Sequence, residues 1–219
     1  TVNKYSGEYV RGTHTEKVMS CAKHFPGHGD TDIDSHLEMP MVNKTIDELE
    51  KSELIPFYNS INFGIRSVMI GHLYVPAIEK EKIPASLSNK AVEYLRSMMK
   101  FKGLIITDAL DMNSITTLYS PGEAAVKAIE AGNNIALMPA EPFAAIESLI
   151  EKAKSDENFY SLLKRSVELI VKEKRWCGLI PQFAVLEEGS QIFISHQKLA
   201  LNVAFQGLEV TGDASLLPL

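Results

Sequence analysis

The chain has 219 residues, of which 45% are hydrophobic and 23% are charged, and its mean hydropathy is −0.02. This balance excludes a disordered chain, and the longest apolar runs are far shorter than the roughly 20 residues that a membrane span requires. The formal net charge of −6, without clustered lysines or arginines, argues against nucleic-acid binding and favours a neutral or small-molecule partner.

Short apolar, β-branched runs alternate with longer amphipathic segments, which is typical of βα units around a parallel sheet. The runs predict four strands, at 18–23, 67–72, 104–108 and 134–138. The amphipathic segments predict helices at 45–61, 89–100, 122–130, 142–154 and 160–175. The first helix opens on a Thr45-x-x-Glu48 capping-box spacing. Four βα units in series predict an α/β fold.

The regular pattern ends after Trp176, where Gly178 and Pro181 break the last helix. We therefore expect a domain boundary near 181–190, followed by a tail too short to form a core alone. The chain starts at Thr1 without a targeting segment and stops on apolar residues, which we interpret as a fragment. Its localisation is therefore not predicted.

The two cysteines, Cys21 and Cys177, are far apart and lack CxxC spacing. This arrangement predicts reduced, buried thiols in place of a disulfide or a thiolate zinc site. The acidic residues Glu50, Glu53 and Glu79 lie in short charged runs, which predicts that they are solvated.

Ionisable residues concentrate in the loop that follows the first predicted strand. Residues 23–36 contain one lysine, three histidines and three aspartates. A metal site is one interpretation, but the Asp30-x-Asp32-x-Asp34 start of a calcium loop lacks the glycine and glutamate expected at its sixth and twelfth positions. A solvated surface loop with ordinary turn residues is a second interpretation. The third pairs Asp34 with His36 as a dyad, in which the carboxylate holds one ring nitrogen and the other carries a proton.

A carboxylate at a second strand end completes a possible site. Asp108 follows the apolar run 104–107, where a barrel strand would deliver its last residue to the active face. It could instead cap the following helix, but Asp111 is the more natural cap. Asp108 is therefore the candidate nucleophile.

Two of these stretches resemble a known family. The run Lys23-His24-Phe25-Pro26-Gly27-His28-Gly29 with Asp34-Ser35-His36 resembles the signature loop of glycoside hydrolase family 3 β-N-acetylglucosaminidases. The run Gly103-Leu104-Ile105-Ile106-Thr107-Asp108-Ala109-Leu110 resembles that family's nucleophile strand. The first motif distinguishes this subgroup from family 3 β-glucosidases, which take their acid/base carboxylate from another domain.

The resemblance implies a retaining mechanism without a metal or organic cofactor. Asp108 would attack the anomeric carbon, while His36 would protonate the leaving oxygen and later activate water. Asp34 would orient His36, and Lys23 and His24 would bind sugar hydroxyls. A histidine then replaces the usual acid carboxylate, although the logic of proton transfer is the same.

The resemblance also sets the expected architecture, a partial TIM (β/α)₈ barrel. Residues 1–180 would be its last four βα units, and residues 181–219 a linker and the start of a C-terminal α/β domain. The family's Ala-Gly-x-Asp strand reads Asn134 at its last position, a change expected to affect packing more than chemistry. His72, at the end of the second predicted strand, is expected to line the sugar pocket, whereas Arg11 does not match the family's binding arginine.

These expectations combine into one leading function. The chain would belong to an exo-acting hydrolase that releases β-linked N-acetylglucosamine from a small saccharide substrate, such as a peptidoglycan- or chitin-derived one. A phosphorylase is the alternative within the same chemistry, because a histidine tolerates an incoming phosphate better than a carboxylate does. An inactive or binding fragment is the alternative from a different class, because half a barrel leaves open sheet edges.

Overall fold

The computed structural model describes residues 2–29, residues 39–179 and Lys198. Apart from Lys198, these residues belong to one compact unit, Thr1–Pro181. Asp34 and His36 lie outside the described residues. So does the predicted second domain, 181–219, apart from Lys198. No helix within the described part of the chain has the length and apolarity needed to cross a membrane.

Three parallel strands form the sheet, in the order β1 (Cys21–Phe25), β2 (Ser67–Ile70) and β3 (Leu104–Thr107). The β2–β3 register is regular from Ser67↔Leu104 to Ile70↔Thr107. Strands β2 and β3 are mostly buried, as expected for parallel strands covered on both faces. The predicted α/β fold is confirmed.

The fourth predicted strand is reduced to a single bridge between Ile106 and Ile135. Its pairing stops because the backbone N–H of Leu137 bonds the hydroxyl of Thr107, 2.9 Å away, in place of a backbone carbonyl. The next residue, Met138, then turns away from extended geometry with a φ of 46°.

Eight α-helices are described around the sheet. Their bounds are α1 Val2–Thr15, α2 Ile46–Lys51, α3 Ile55–Asn62, α4 Asn89–Glu93, α5 Asn113–Thr116, α6 Pro121–Glu130, α7 Pro142–Ser155 and α8 Glu157–Trp176. A π-helical turn, Tyr94–Met98, continues α4, and a 3₁₀ turn spans Ala85–Leu87. The helices α1 and α5 were not predicted. Three of the four residues of α5 are polar, and α1 contains two glycines and buries Val10 as its one apolar anchor in the core.

The predicted helix at 45–61 is two helices. The capping box at its start is present: the hydroxyl of Thr45 accepts from the N–H of Glu48 at 3.3 Å, and the Glu48 carboxylate accepts from the N–H of Thr45 at 2.8 Å. The helix breaks before α3 because proline has no backbone N–H to donate inside a continuous helix. Pro56 is tolerated in the first turn of α3, where a backbone N–H has no partner within the helix.

The main core lies between the sheet and helices α2, α3 and α4. Phe25, at the end of β1, is fully buried and meets Phe57 of α3 edge to face, with ring centroids 5.4 Å apart. Gly103 lets the start of β3 lie close to the backbone just before β2. A Cβ on residue 103 would lie 2.3 Å from the carbonyl oxygen of Arg66.

A polar cluster joins the amino-terminal end of the sheet to the helices. The side-chain oxygen of Asn134 accepts from Arg96 Nη2 at 2.8 Å and from the backbone N–H of Ile105 at 2.9 Å. Its amide nitrogen donates to the hydroxyl of Ser166 on α8 at 3.2 Å. Arg96 also donates to the carbonyl of Gly103 at 2.7 Å. Asn134 therefore acts through packing and hydrogen bonding at the end of the sheet opposite to Asp108.

Replacing Asn134 tests this cluster. Asn134→Ala removes the shared acceptor and leaves two donors unpaired in a half-buried position, so we expect a loss of about 2–3 kcal/mol in the free energy of unfolding. Asn134→Asp keeps both acceptor contacts and adds a charge opposite Arg96, so it should match or exceed the parent. Urea unfolding measures both, and equal midpoints for the parent and Asn134→Ala would contradict the assignment.

Candidate active site

The carboxyl ends of the three strands bring together residues that are far apart in the sequence. His24 lies near the end of β1, His72 follows β2 and Asp108 follows β3. The Nε2 of His24 is 3.9 Å from Oδ2 of Asp108. Because parallel strands end at the same edge of a sheet, the fold alone produces this proximity.

Asp108 is held by backbone contacts on both sides. Its N–H donates to the carbonyl of Ile70 at 2.8 Å, which continues the β2–β3 ladder one residue past the end of β3. Its Oδ1 accepts from the N–H of Ala109 at 3.0 Å, and the side chain is 15% exposed. The carboxylate is thus fixed in direction and still reaches solvent.

Neither aspartate of this loop caps the next helix. The N-cap of α5 is Met112, and it makes no side-chain capping bond. The expectation that Asp111 caps this helix is wrong, because α5 begins one residue too late for it. Burial lowers the pKa of the His72 ring, and the Asp111 carboxylate is among the groups that partly oppose this change.

His24 is half-buried between charges of both signs. Burial lowers the pKa of its imidazole, the Asp108 carboxylate opposes that change, and Lys23 and His28 reinforce it. The pKa of His24 is lower than its ordinary value as the net result, so the ring is mainly neutral at pH 7. Its edge faces the ring of His28 at a centroid distance of 6.1 Å. The ring can therefore exchange hydrogen bonds with a ligand beside Asp108.

His72 is placed differently from the sequence-based expectation of a pocket-lining residue. It is fully buried, and its Nε2 lies 2.8 Å from the carbonyl oxygen of Ala109, which can only accept. Nε2 therefore carries the proton, and Nδ1 accepts from the hydroxyl of Ser86 at 2.6 Å. Burial lowers the pKa of His72, which keeps it neutral. With both nitrogens used, the ring has none for a sugar; it joins the loops after β2 and β3.

Lys23 lies at the mouth of a cleft beside these strand ends. The side chain is exposed, and the cleft, of about 430 Å³, is lined by Lys23, His24, His28 and Glu53 among others. Asp34 and His36 lie outside the described residues, so the dyad stays a prediction. Within the described part of the chain, no group of three or more His, Cys, Asp or Glu side chains could hold a metal. The aspartates of the predicted calcium-like run are outside that part.

Two acidic side chains are less exposed to solvent than the sequence predicted. Glu53 is 11% exposed, with Oε1 2.5 Å from the Nζ of Lys44. Glu79 is 7% exposed and accepts from Lys90 Nζ at 2.7 Å. Burial raises the pKa of each carboxyl, but hydrogen bonds from its partners outweigh this and lower it overall. Glu53 lies in the turn between α2 and α3, outside both helices, so helical periodicity does not indicate its inward position.

The two thiols also differ from expectation. Cys21 is exposed and Cys177 is partly exposed, and both are free. Cys21 lies on the same face of β1 as Lys23, so it shares the solvent side of that strand.

The chain is similar in sequence and in structure to known proteins. Residues 1–172 match the family described as the glycosyl hydrolase family 3 N-terminal domain. The chain belongs to glycosyl hydrolase family 3.

Individual family 3 relatives are similar over most of the chain. Beta-hexosaminidase A of Pseudoalteromonas piscicida is 34% identical over 150 residues, which are 63% of this chain and 25% of that protein. A family 3 β-N-acetylglucosaminidase from Paenibacillus sp. str. FPU-7 superposes with a TM-score of 0.80 at 32% identity, covering 94% of this chain and 41% of that one. The beta-glucoside phosphorylase BglX superposes with a TM-score of 0.79 at 26% identity, covering 97% and 41%. The chain thus spans about a quarter to two-fifths of these relatives.

The contact between His24 and Asp108 leads to a direct test. Asp108→Asn removes the carboxylate that favours the protonated ring, so the pKa of His24 should fall further below its ordinary value. Asp111→Asn is the matched control, because the Asp111 carboxylate acts on His72 and is not among the charges that act on His24. An NMR titration of the His24 ring measures both variants. A pKa that is unchanged or higher in Asp108→Asn would show that the two groups do not interact.

Proposed function

We propose that this chain is the catalytic part of a retaining glycoside hydrolase that releases β-linked N-acetylglucosamine. The carboxylate of Asp108, fixed by backbone contacts at a strand end and 3.9 Å from His24, is the observation that carries the proposal. The relatives named beta-hexosaminidase and β-N-acetylglucosaminidase support the substrate class. In this proposal the α/β unit 1–180 is the last four βα units of a (β/α)₈ barrel, and 181–219 begin a further domain.

Asp108 acts as the nucleophile in the first step. One carboxylate oxygen bonds to the anomeric carbon as the bond from that carbon to the leaving oxygen breaks. The hydrogen bond from the N–H of Ala109 holds Oδ1, which fixes the side-chain rotation and leaves Oδ2 on the side of His24. Lys23 and His24 bind sugar hydroxyls at the cleft, where both side chains reach solvent.

His36 moves the proton in both steps. Its protonated ring gives a proton to the leaving oxygen as the glycosyl–Asp108 ester forms. The neutral ring then takes a proton from water as the water oxygen attacks the same carbon, and Asp108 leaves as a carboxylate. Asp34 orients His36 and favours its protonated form. His72 keeps the loops after β2 and β3 docked and stays outside the chemistry.

Phosphorolysis is a second candidate, favoured by the similarity to a beta-glucoside phosphorylase. Phosphate would replace water in the second step, and the histidine acid/base would repel the anion less than a carboxylate would. The product then is a sugar 1-phosphate. The two candidates share the glycosyl–Asp108 step, so one set of variants tests both.

Removing the nucleophile tests the shared step. Asp108→Asn keeps the shape of the side chain but cannot form the ester, so kcat should fall by about 10³-fold or more, roughly 4 kcal/mol of barrier. Asp111→Asn, an exposed carboxylate on the same loop, should keep most of the activity. The assay uses an aryl N-acetylglucosaminide with and without phosphate, and the main product distinguishes hydrolysis from phosphorolysis. Activity above about a tenth of the parent's in Asp108→Asn would remove Asp108 from the role.

The leaving group tests the roles within the dyad. His36→Ala should slow turnover severely for a substrate whose leaving oxygen is basic, and much less for one that departs without protonation, because acid assistance matters only in the first case. Asp34→Asn should give a weaker form of the same pattern. Rates across a series of leaving groups measure this. Equal losses for every leaving group, together with inhibition of the parent by a chelator, would instead support the metal interpretation of the loop.

A further inference from the structure

Ala109, the residue after Asp108, is bonded on both sides. Its N–H donates to Oδ1 of Asp108 at 3.0 Å, and its carbonyl oxygen lies 2.8 Å from Nε2 of His72. The β2–β3 ladder fixes where the backbone of Asp108 leaves the sheet, because the N–H of Asp108 donates to the carbonyl of Ile70. The ladder leaves the side chain free to rotate. The direction of the carboxylate therefore depends on the N–H of Ala109.

The ring of His72 is itself held in one orientation. It is fully buried, and the hydroxyl of Ser86 donates to its Nδ1 at 2.6 Å, so the proton on Nε2 faces Ala109. Ser86 is also fully buried, and its carbonyl accepts from Nδ2 of Asn133 at 2.8 Å. The same amide nitrogen donates to the carbonyl of Ala128 on α6 at 2.8 Å. A continuous set of hydrogen bonds thus connects α6 to Ala109.

The peptide plane between Ala109 and Leu110 has a bond at each end. Its carbonyl accepts from His72, and its N–H, which belongs to Leu110, donates to the carbonyl of Leu137 at 2.8 Å. A plane that is bonded at one end only can still tilt about that bond. The bond from His72 removes this freedom, so the position of Ala109 follows from that of the His72 ring.

The direction of the carboxylate matters because one oxygen has to reach the anomeric carbon. The bond from Ala109 to Oδ1 leaves Oδ2 on the side of His24, 3.9 Å from its Nε2. If the N–H of Ala109 turns away, the carboxylate rotates and Oδ2 loses this direction. A misplacement of about 1 Å in a reacting group can cost about 10²-fold in rate.

We propose that His72 is a positioning residue that aims the carboxylate of Asp108 through Ala109. The proposal rests on the proposed function, in which Asp108 is the nucleophile. Both ring nitrogens of His72 bond protein groups, so the residue acts through the backbone and not on the sugar. Its role thus goes beyond joining the two loops, because it reaches the reacting carboxylate.

Two amide variants separate the two contacts of the His72 ring. The side-chain nitrogen of glutamine lies as many bonds from the backbone as Nε2 of histidine, so His72→Gln still donates to Ala109. The side-chain oxygen of asparagine matches Nδ1 instead, so His72→Asn still accepts from Ser86 but does not reach Ala109. Each variant places one uncharged amide at the same buried position and keeps one of the two contacts. The pair therefore isolates the contact with Ala109.

The rates should differ between these two variants. With aryl N-acetylglucosaminides, kcat/KM should fall about 30-fold in His72→Asn and less than about fivefold in His72→Gln. The loss in His72→Asn should be similar for good and poor leaving groups, because the nucleophile attacks in both cases. The inhibition constant of N-acetylglucosamine should stay within about threefold of the parent's, since the ring does not bind the sugar.

Amide hydrogen exchange tests the contact without the reaction. The N–H of Ala109 is protected by Oδ1 of Asp108, whereas the N–H of Asp108 is protected by the ladder. In His72→Asn, exchange at Ala109 should accelerate about tenfold more than exchange at Asp108. His72→Gln should keep the ratio of the two exchange rates near that of the parent. A general loss of stability would accelerate both amides alike.

Glu173→Gln is the control for a buried polar change away from the site. The Glu173 side chain is 4% exposed and accepts from Arg66 Nε at 2.6 Å. Arg66 precedes β2, so this pair lies at the opposite end of the sheet from Asp108. Glu173→Gln should lower the midpoint of urea unfolding and leave kcat/KM and the exchange ratio as in the parent.

The outcomes distinguish the positioning role from the proposed function. Equal kcat/KM values in His72→Asn and His72→Gln, or equal acceleration at the two amides in His72→Asn, would overturn the positioning role. Full activity in Asp108→Asn would overturn the proposed function, while the exchange data would still decide whether His72 holds Ala109. If His72→Asn does not fold, Ser86→Ala takes its place. It frees the ring on one side, so exchange should accelerate more at Ala109 than at Asp108, and equal acceleration would overturn the role.

Discussion

The parallel β2–β3 ladder is the constraint on which the site depends. Its hydrogen bonding continues for one residue beyond β3, where the N–H of Asp108 meets the carbonyl of Ile70. That bond determines where the carboxylate emerges, and the position of β1 in the same sheet determines that His24 is the side chain opposite it. The chemistry of the site can vary through the loops, but the place of Asp108 is set by backbone atoms that no side-chain substitution removes.

The loops after the strands are joined by buried polar contacts. His72 links the loop after β2 to Ala109 in the loop after β3, and within the connection from β2 to β3 it contacts Ser86 while Glu79 accepts from Lys90 and Ser88. Such contacts are directional, unlike apolar packing, so they hold a loop in one arrangement. Each contact stabilises the loop only while all of its hydrogen-bonding partners are present. The same logic applies to Glu53 and Lys44 at the cleft.

Periodicity and turn chemistry predicted most of the framework. The three strands and the capping box at Thr45 could be predicted because each depends on residues that are close in sequence. The break before α3 carried a local signal in Pro56, but the helical pattern continued across it. The loss of the fourth strand depends on the hydroxyl of Thr107, which is 30 residues before its partner Leu137. Such a side-chain contact leaves no periodic trace. The buried state of Glu53 likewise depends on its ion pair with Lys44.

The bond between His72 and the carbonyl of Ala109 has a spectroscopic consequence. The His72 side chain is fully buried and the carbonyl of Ala109 holds the proton on Nε2, so separation of the loops after β2 and β3 should speed the exchange of this proton with water. In water the nitrogen-bound proton of an exposed imidazole exchanges too fast to be seen, whereas this one is shielded. The NMR resonance of the His72 Nε2 proton therefore indicates whether the loops after β2 and β3 are docked. It can be observed without a label and whether or not a sugar is turned over.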